Sequence, residues 1–434
     1  YIAALLVWVT RCSPEFVLKS LALASICTNN VFIYLTLRDK TDNKEISFLA
    51  VVLITLSPAY WVWWLNEGTY SAFISMAFIG PSMYLATLVG NNPKSTAKKI
   101  LLALTLSGAF MTHVISAIPA VIFVLVYLLC RLKVVESLKI ISQLLLMSVC
   151  LSSSYIAQLL FSNPVGFSNP VSWKNILYIY PPADIRGLFL PISAYSVHPC
   201  IIASLLVLSV IVLVMRNLRG RINHQLRPVL MASTVLSVII FAYSFAGYVR
   251  IPTIIGLEPW SYLSVLVIGL CIVLAVLLNA ILEGRLKVFV YAYIVATIII
   301  GGFVLTPYVN KFSLRYPSPN ELRPLLIVQD SQANLEYRME PDTAYISVWL
   351  NYLSQVPQSK GYYGQGAPYP GWKYWKTVSI WNRKDNYKET AFIMDWHAIR
   401  WLISTNKTAQ EKFLMSDDYK LIGQVDGFTW FEYV

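Results

Sequence analysis

Apolar runs broken by short polar turns fill residues 1–306. A helix needs about 20 apolar residues to cross roughly 30 Å of hydrocarbon. Ten runs meet or approach that length: 14–37, 47–65, 69–90, 98–112, 113–132, 137–161, 196–216, 228–248, 259–282 and 286–306. The run 98–112 is short, and no polar loop separates it from 113–132. Pro58, Pro81 and Pro119 fall inside runs, as bilayer helices tolerate. After 306 the pattern changes to Pro, Asn and Ser turns between short aromatic runs. TAYISVWLNYLSQ (343–355) predicts a helix, DWHAIRWLIST (395–405) a helix leading into a strand, and 418–434 two strands around an Asp426-Gly427 turn. The predicted fold is mostly α: a polytopic transmembrane helical bundle of about ten spans over 1–306, then a small α+β domain over 307–434.

The polar turns carry a topology. One set holds Arg38, Lys40, Lys44, Lys94, Lys98, Lys99, Arg131, Lys133, Lys139, Arg216, Arg219, Arg221, Arg227, Arg285 and Lys287. The alternating set holds only Arg11, Lys19, Lys174, Arg186 and Arg250. By the positive-inside rule the first set is cytoplasmic, which predicts a multi-pass cell-membrane protein with 307–434 extracytoplasmic. Asn406-Lys407-Thr408 is an acceptor sequon in that domain. Residues 1–10, YIAALLVWVT, would span only about 15 Å as a helix and cannot cross. They predict a shallow interfacial helix over 1–12, and the start without Met or signal peptide predicts a truncated or processed N-terminus.

Composition agrees. The chain of 434 residues is 57% hydrophobic and 13% charged, with a mean hydropathy of +0.59. Soluble chains carry about a quarter charged residues, so a soluble enzyme and a disordered scaffold are excluded. Net charge +12 suggests nucleic acid, but the excess sits in short loops between apolar runs, so no nucleic-acid partner is expected. The cysteines Cys12, Cys27, Cys130, Cys150, Cys200 and Cys271 all precede residue 307, and no disulfide framework is legible in the polar part.

No Walker loop, GxGxxG, HExxH, CxxC pair or GxSxG is present, so no nucleotide is expected. Four acids fall on the outer side: Glu15, Glu67, Asp184 and Glu258. Glu67, in WVWWLNEGTYSAF, has no basic neighbour in sequence. It needs a cation, a proton or a distant partner, or else it is a solvated or helix-starting charge. Glu258 follows Arg250 by eight residues. Either the two pair at a span boundary, or Arg250 binds a lipid phosphate at the interface. The long loop 162–195 places Lys174, Asp184 and Arg186 beside aromatics, as a binding loop or a structural lid. His113 marks a tight outer turn and is either a structural hydrogen-bonding group or a phosphate, proton or metal site. Tyr362, Tyr363, Tyr369, Trp372, Tyr374, Trp375 and Trp381 offer faces for sugar stacking or headgroup contact, or form a small core.

Four stretches and the tail carry a family resemblance: RCSPEFVLKSLAL followed by YLTLRD (11–39), LSPAYWVWWLNEGTYSAF (56–73), GAFMTHVISAIP (108–119), RIPTIIGLEPWSYL (250–263), and DWHAIRWLISTN with YKLIGQVDGFTWFEY. Their order resembles the GT-C glycosyltransferase superfamily, in its uncharacterised prokaryotic branch with a small extracytoplasmic domain. The resemblance covers nearly the whole chain, through degenerate motifs. It implies inverting transfer of a sugar from a polyprenyl-phosphate donor to a glycan, lipid or protein acceptor at the outer face of the bilayer. It carries a catalytic carboxylate over to Glu67 alone; Asp184 and Glu258 are further candidates from their place on the outer side. Arg250, Arg186, Lys174 and His113 become donor-phosphate groups, and Tyr363, Tyr369, Trp372 and Trp375 acceptor or sugar contacts. A divalent cation, magnesium or manganese, is implied at Glu67, although the neighbour of Glu67 departs from the Asp-rich versions. The family's first acidic residue is expected upstream of Tyr1. The competing class is a transporter or flippase for a lipid-linked or polar solute. Transporters place charges at mid-membrane and use internal repeats. Most spans here lack central charges, and no internal repeat is visible.

Overall fold

The computed structural model describes residues 6, 8–12, 14–65, 70–153, 177–178, 184–188, 196–197, 201–202, 204–205, 224–251, 253–254, 262–282, 287–312, 337–342, 380–381, 386–425 and 428–434. The chain divides into two compact units, Tyr1–Leu160 with Ser172–Ser313, and Phe161–Val171 with Leu314–Val434.

The first unit is helical. Its helices are α1 (Pro14–Thr41), α2 (Lys44–Thr55), α3 (Pro58–Leu65), α4 (Tyr70–Ser75), α5 (Ile79–Asn91), α6 (Thr96–Thr112), α7 (Val114–Arg131) and α8 (Val134–Leu151). A short strand β1 (Leu177–Tyr178) precedes α9 (Arg227–Ser244), a second short strand β2 (Thr253–Ile254), α10 (Leu263–Leu282) and α11 (Lys287–Phe312). Residues 8–10 are helical, and Arg11 turns the chain through φ 55° into α1. Among the described residues five helical runs are long and apolar enough to cross a membrane: Phe16–Thr41, Phe73–Asn91, Val134–Leu151, Arg227–Ser244 and Leu263–Ala280.

Ser116–Arg131 and Val288–Val304 are further, shorter apolar helical stretches among the described residues. Several of the predicted runs have breaks or ends with local causes. The run 47–65 is broken, because Pro58 lacks an N–H and disfavours helix at Ser57, so α2 ends at Thr55 and α3 starts on the proline. The run 69–90 changes to a 3-10 turn over Met76–Phe78. The runs 98–112 and 113–132 part at His113, whose extended backbone (φ −165°) closes α6. Pro119 stays inside α7. The last helix runs past 306 to Phe312. The run 196–216 lies mostly outside the described residues.

Packing follows hydropathy. Leu263–Ala280 is the most apolar of the five runs and the most buried, and α10 packs on α9, α2 and α3. One polar cluster interrupts this core. Asn29 Nδ2 donates to the Tyr60 hydroxyl at 2.8 Å, and that hydroxyl donates to Asn30 Oδ1 at 3.1 Å. Asn30 Nδ2 donates to Thr55 Oγ1 at 2.9 Å, and the Gly80 N–H donates to Asn29 Oδ1 at 2.8 Å. Four elements (α1, α2, α3 and α5) are thereby tied where no water competes, so each amide needs its partner.

The helix ends sort into two levels. Lys40, at the end of α1, and Arg131, at the end of α7, both reach Asn91 at the end of α5. Tyr291 of α11 donates to Glu45 of α2 at 3.4 Å. The turns after Thr41, Asn91 and Arg131 and the start of α11 thus share one end of the bundle. They are turns that the sequence grouped by their basic residues.

The second unit holds a four-stranded sheet. Its elements are β3 (Arg338–Pro341), α12 (Tyr387–Trp396), β4 (Ile399–Ser404), α13 (Lys407–Leu414), β5 (Tyr419–Val425) and β6 (Phe428–Tyr433). The strand order is β3-β4-β6-β5, parallel at β3–β4 and antiparallel elsewhere. The expected hairpin is present, with Val425 opposite Phe428. Phe413 is the core's centre, with ring centroids 4.7 Å from Tyr419, 5.3 Å from Phe431 and 6.0 Å from Trp381. One oxygen of Asp342 accepts from the backbone N–H groups of Thr405 and Asn406 and from the hydroxyls of Ser404 and Thr405. The Asn406 side chain in turn caps α13 through the N–H groups of Thr408 and Ala409. The predicted helix 343–355 lies outside the described residues.

Candidate functional site

Three stretches that the sequence singled out meet through hydrogen bonds within the first unit. The start of α3 is held by Ala59 N–H to Ser196 O at 3.0 Å. The next residue, Val197, donates to Gly187 O at 2.8 Å. Gly187 belongs to the 3-10 turn Ile185–Leu188, and the Ile185 N–H donates to the Tyr248 hydroxyl at 3.4 Å. Tyr248 lies in the 3-10 turn Ala246–Val249 that ends at Arg250. A second link comes from β1 and β2, which pair Leu177 with Ile254 and Tyr178 with Thr253. The long loop that carries Asp184 and Arg186, the turn around Arg250 and the helix leading towards Glu67 are therefore one connected substructure.

Within it, Arg186 and Asp184 are partners. Arg186 Nη2 is 2.7 Å from Asp184 Oδ2, and Arg186 Nε contacts both carboxylate oxygens at 3.0 and 3.1 Å. The side-chain hydrogen bonds from Arg186, then the bond from its backbone N–H, hold the Asp184 carboxyl below its usual range. The same carboxylate raises Arg186 further. A carboxylate held in its ionised form is a poor proton acceptor, so the geometry suits Asp184 to orienting Arg186 better than to acting as a base.

Arg250 differs. It ends its turn in the left-handed region at φ 54°, with its N–H on Gly247 O at 3.2 Å and its side chain exposed. A non-glycine residue in that region costs about 1–2 kcal/mol. Ile251 N–H on Ala246 O at 3.1 Å and the Phe245–Tyr248 ring stack hold the turn that imposes it. Among the described residues Arg250 has no ion-pair partner. It is an exposed cation on a held backbone turn, able to meet an anion such as a lipid phosphate.

The other predicted site residues fall elsewhere. His113 sits at the α6–α7 junction, where its N–H meets Ala109 O and its carbonyl accepts from Ser116. The Ser116 hydroxyl bonds that of Ser75 at 2.6 Å, tying α4 to this junction. Glu67, Lys174, Glu258, Tyr363, Tyr369, Trp372 and Trp375 lie outside the described residues. Trp381 is buried against Phe413, so of the two readings for the aromatic group it follows the packed core. Among the described residues no group of three His, Cys, Asp or Glu side chains is placed to hold a metal ion. Sequence reasoning missed Tyr248, whose only signal was its place two residues before Arg250. It also missed the Asn29–Asn30–Tyr60 cluster, signalled by two adjacent amides inside an apolar run.

No protein-family model matches the chain, and no curated protein matches it. Solved structures do. The apo form of the Archaeoglobus fulgidus oligosaccharyltransferase is similar with a TM-score of 0.52 at 10% identity, over 89% of this chain and 58% of that one. The same organism's enzyme tethered to an acceptor peptide containing the NVT sequon gives 0.50 at 12% identity, over 93% and 60%. Archaeal oligosaccharyltransferase AglB from that organism, in complex with an inhibitory peptide and a dolichol-phosphate, gives 0.51 at 11% identity, over 93% and 60%. The chain thus spans about three fifths of the length of these neighbours. Over that length its fold is similar to that of the archaeal oligosaccharyltransferase, in line with the resemblance noted in its sequence.

Proposed function

We propose that this protein is a membrane glycosyltransferase that moves a sugar from a polyprenyl-phosphate-linked donor to an acceptor at the outer face of the cell membrane. The observation that carries this reading is the connected substructure in which the turn of Arg250, the Asp184–Arg186 pair and the start of α3 are hydrogen-bonded together. The oligosaccharyltransferase fold supports it, as does the dolichol-phosphate held by one neighbour. The peptides held by two neighbours favour a peptide among the glycan, lipid and protein acceptors.

In this reading the acceptor nucleophile attacks the anomeric carbon and inverts it. The bond from that carbon to the phosphate oxygen breaks, and the electron pair leaves on the lipid phosphate. Arg250, fixed by its turn and exposed, stabilises that charge. Arg186 contributes less, because most of its charge is met by Asp184. Lys174 and His113 are secondary candidates. Glu67 takes the acceptor proton, with Glu258 the alternative carboxylate. A divalent cation, if bound at Glu67, would polarise the sugar phosphate.

The test uses the full product of the reading frame in lipid nanodiscs, supplied with a polyprenyl-phosphate-linked saccharide and an acceptor peptide. Glycosylated acceptor and free polyprenyl phosphate should appear together, and Glu67→Gln should remove most turnover without unfolding the protein. Movement of intact lipid-linked saccharide across vesicles, with no cleavage, would overturn the proposal in favour of a transporter.

A further inference from the structure

The opposite end of the helical unit carries a second cluster of cations that the proposed transfer does not use. Lys40 is only 6% exposed, and its Nζ donates to Asn91 Oδ1 at 3.2 Å. Arg131 Nη2 reaches the same oxygen at 3.5 Å. One neutral amide oxygen is therefore shared by two cations. The nearest carboxylate in sequence, Asp39, acts on Lys40 only through its charge, because its Oδ1 is engaged by Arg38 Nη2 at 2.9 Å. Burying an ammonium on a neutral partner is costly unless an anion completes the site.

A third group stands beside them. Tyr127 is fully buried, and its hydroxyl has no hydrogen-bond partner among the described residues. Gly90, next to Asn91, packs directly on it: a Cβ there would lie 2.9 Å from Tyr127 Cε1, 3.1 Å from Arg131 Cγ and 3.5 Å from the Tyr127 hydroxyl. Two cations and one orphan hydroxyl thus surround residues 90–91. A buried hydroxyl without a partner costs about 1–3 kcal/mol, which points to a ligand with several acceptor oxygens.

The location selects among anions. Asn91, Thr41 and Arg131 end α5, α1 and α7, and helix ends lie at headgroup level in a bilayer. Beyond Arg131, Val134, Val135 and Leu138 are exposed, so apolar surface suited to an acyl chain adjoins the cations. We infer that Lys40, Arg131 and the Tyr127 hydroxyl bind the phosphate of an anionic phospholipid at this end of the bundle.

The test is thermal stability of the detergent-solubilised full chain, titrated with short-chain phosphatidylglycerol, short-chain phosphatidylcholine or inorganic phosphate. Phosphatidylglycerol should raise Tm saturably and phosphatidylcholine should not. Arg131→Gln should weaken the apparent affinity about tenfold, the size expected for losing one charge-assisted hydrogen bond. Tyr127→Phe removes only an oxygen without a partner, so the protein should fold as well as before while binding several-fold more weakly. Equal stabilisation of the wild type and both variants by phosphatidylglycerol overturns the site, as does equal stabilisation by the two lipids. Matching stabilisation by inorganic phosphate, lost in both variants, would keep the phosphate chemistry and overturn the lipid as its source.

Discussion

Gly80 gives its backbone N–H to the side-chain oxygen of Asn29 at 2.8 Å, and a Cβ at position 80 would collide with the Asn29 backbone carbonyl. Glycine is required here for close approach of α5 to α1, not for a turn. Gly80→Ala should therefore destabilise the helical unit by about 1–3 kcal/mol, the usual cost of overpacking. Denaturation in mixed detergent micelles measures it. Wild-type stability in that variant would mean that the two helices do not meet as described.

Tyr60 tests the same cluster from α3. Its hydroxyl accepts from Asn29 and donates to Asn30. Tyr60→Phe keeps the ring and removes both bonds, which leaves two buried amide groups short of a partner. A loss of about 1–2 kcal/mol is expected. Tyr60→Phe combined with Asn29→Ala should cost less than the sum of the single changes, because the two residues share a bond.

Asp184 and Arg186 give a pH prediction. The folded Asp184 carboxyl titrates below its ordinary value of about 3.9 because Arg186 favours the ionised form. What the pair contributes is present above the ordinary carboxyl value and is lost only as pH falls through the lower, folded value. Arg186→Gln should move the Asp184 titration back up towards its ordinary value, as read from the isotope-labelled carboxyl carbon by NMR. Both side chains are exposed, so Tm at neutral pH should not change measurably. An unmoved titration would mean that the pair does not form in solution.

In the second unit, Asp342 organises the crossing from β4 to α13 with four hydrogen bonds to one carboxylate oxygen. Asp342→Ala should cost about 2–3 kcal/mol, since bonds to a charged acceptor are among the stronger ones. Hydrogen exchange should then accelerate over 399–414 first. Asn406→Ala should cost about 1 kcal/mol as a lost helix cap. The same capping geometry makes Asn406 a poor glycan acceptor despite its sequon, because its side-chain oxygen is already held by two backbone N–H groups.

The sequence showed some of this and hid the rest. Helices are legible from hydropathy because the bilayer demands long apolar runs, and α9, α10 and α11 start close to where the pattern placed them. Breaks are less legible. Pro58 reads as a tolerated proline within a span, yet it starts α3, because the effect of a proline depends on whether neighbouring groups satisfy the backbone it frees. The basic turns after Thr41, Asn91 and Arg131 group at one end as the charge pattern indicated, since Lys40 and Arg131 meet at Asn91. Within the site, the Asp184–Arg186 pair was visible as neighbours of opposite charge, but which group each would face was not. The strained backbone of Arg250 could not be read at all, since nothing in a sequence marks a non-glycine residue for the left-handed region.

The central claim is that a lipid phosphate is held where the Arg250 turn and the Asp184–Arg186 loop meet. Photo-crosslinking tests it most directly, with a polyprenyl phosphate carrying a diazirine near the phosphate, in nanodiscs holding the full product of the reading frame. The account predicts crosslinked peptides covering 184–188 and 246–254, competed away by unlabelled polyprenyl phosphate and reduced about tenfold or more by Arg250→Gln. Crosslinks confined to other parts of the chain, or labelling indifferent to Arg250→Gln, would contradict it.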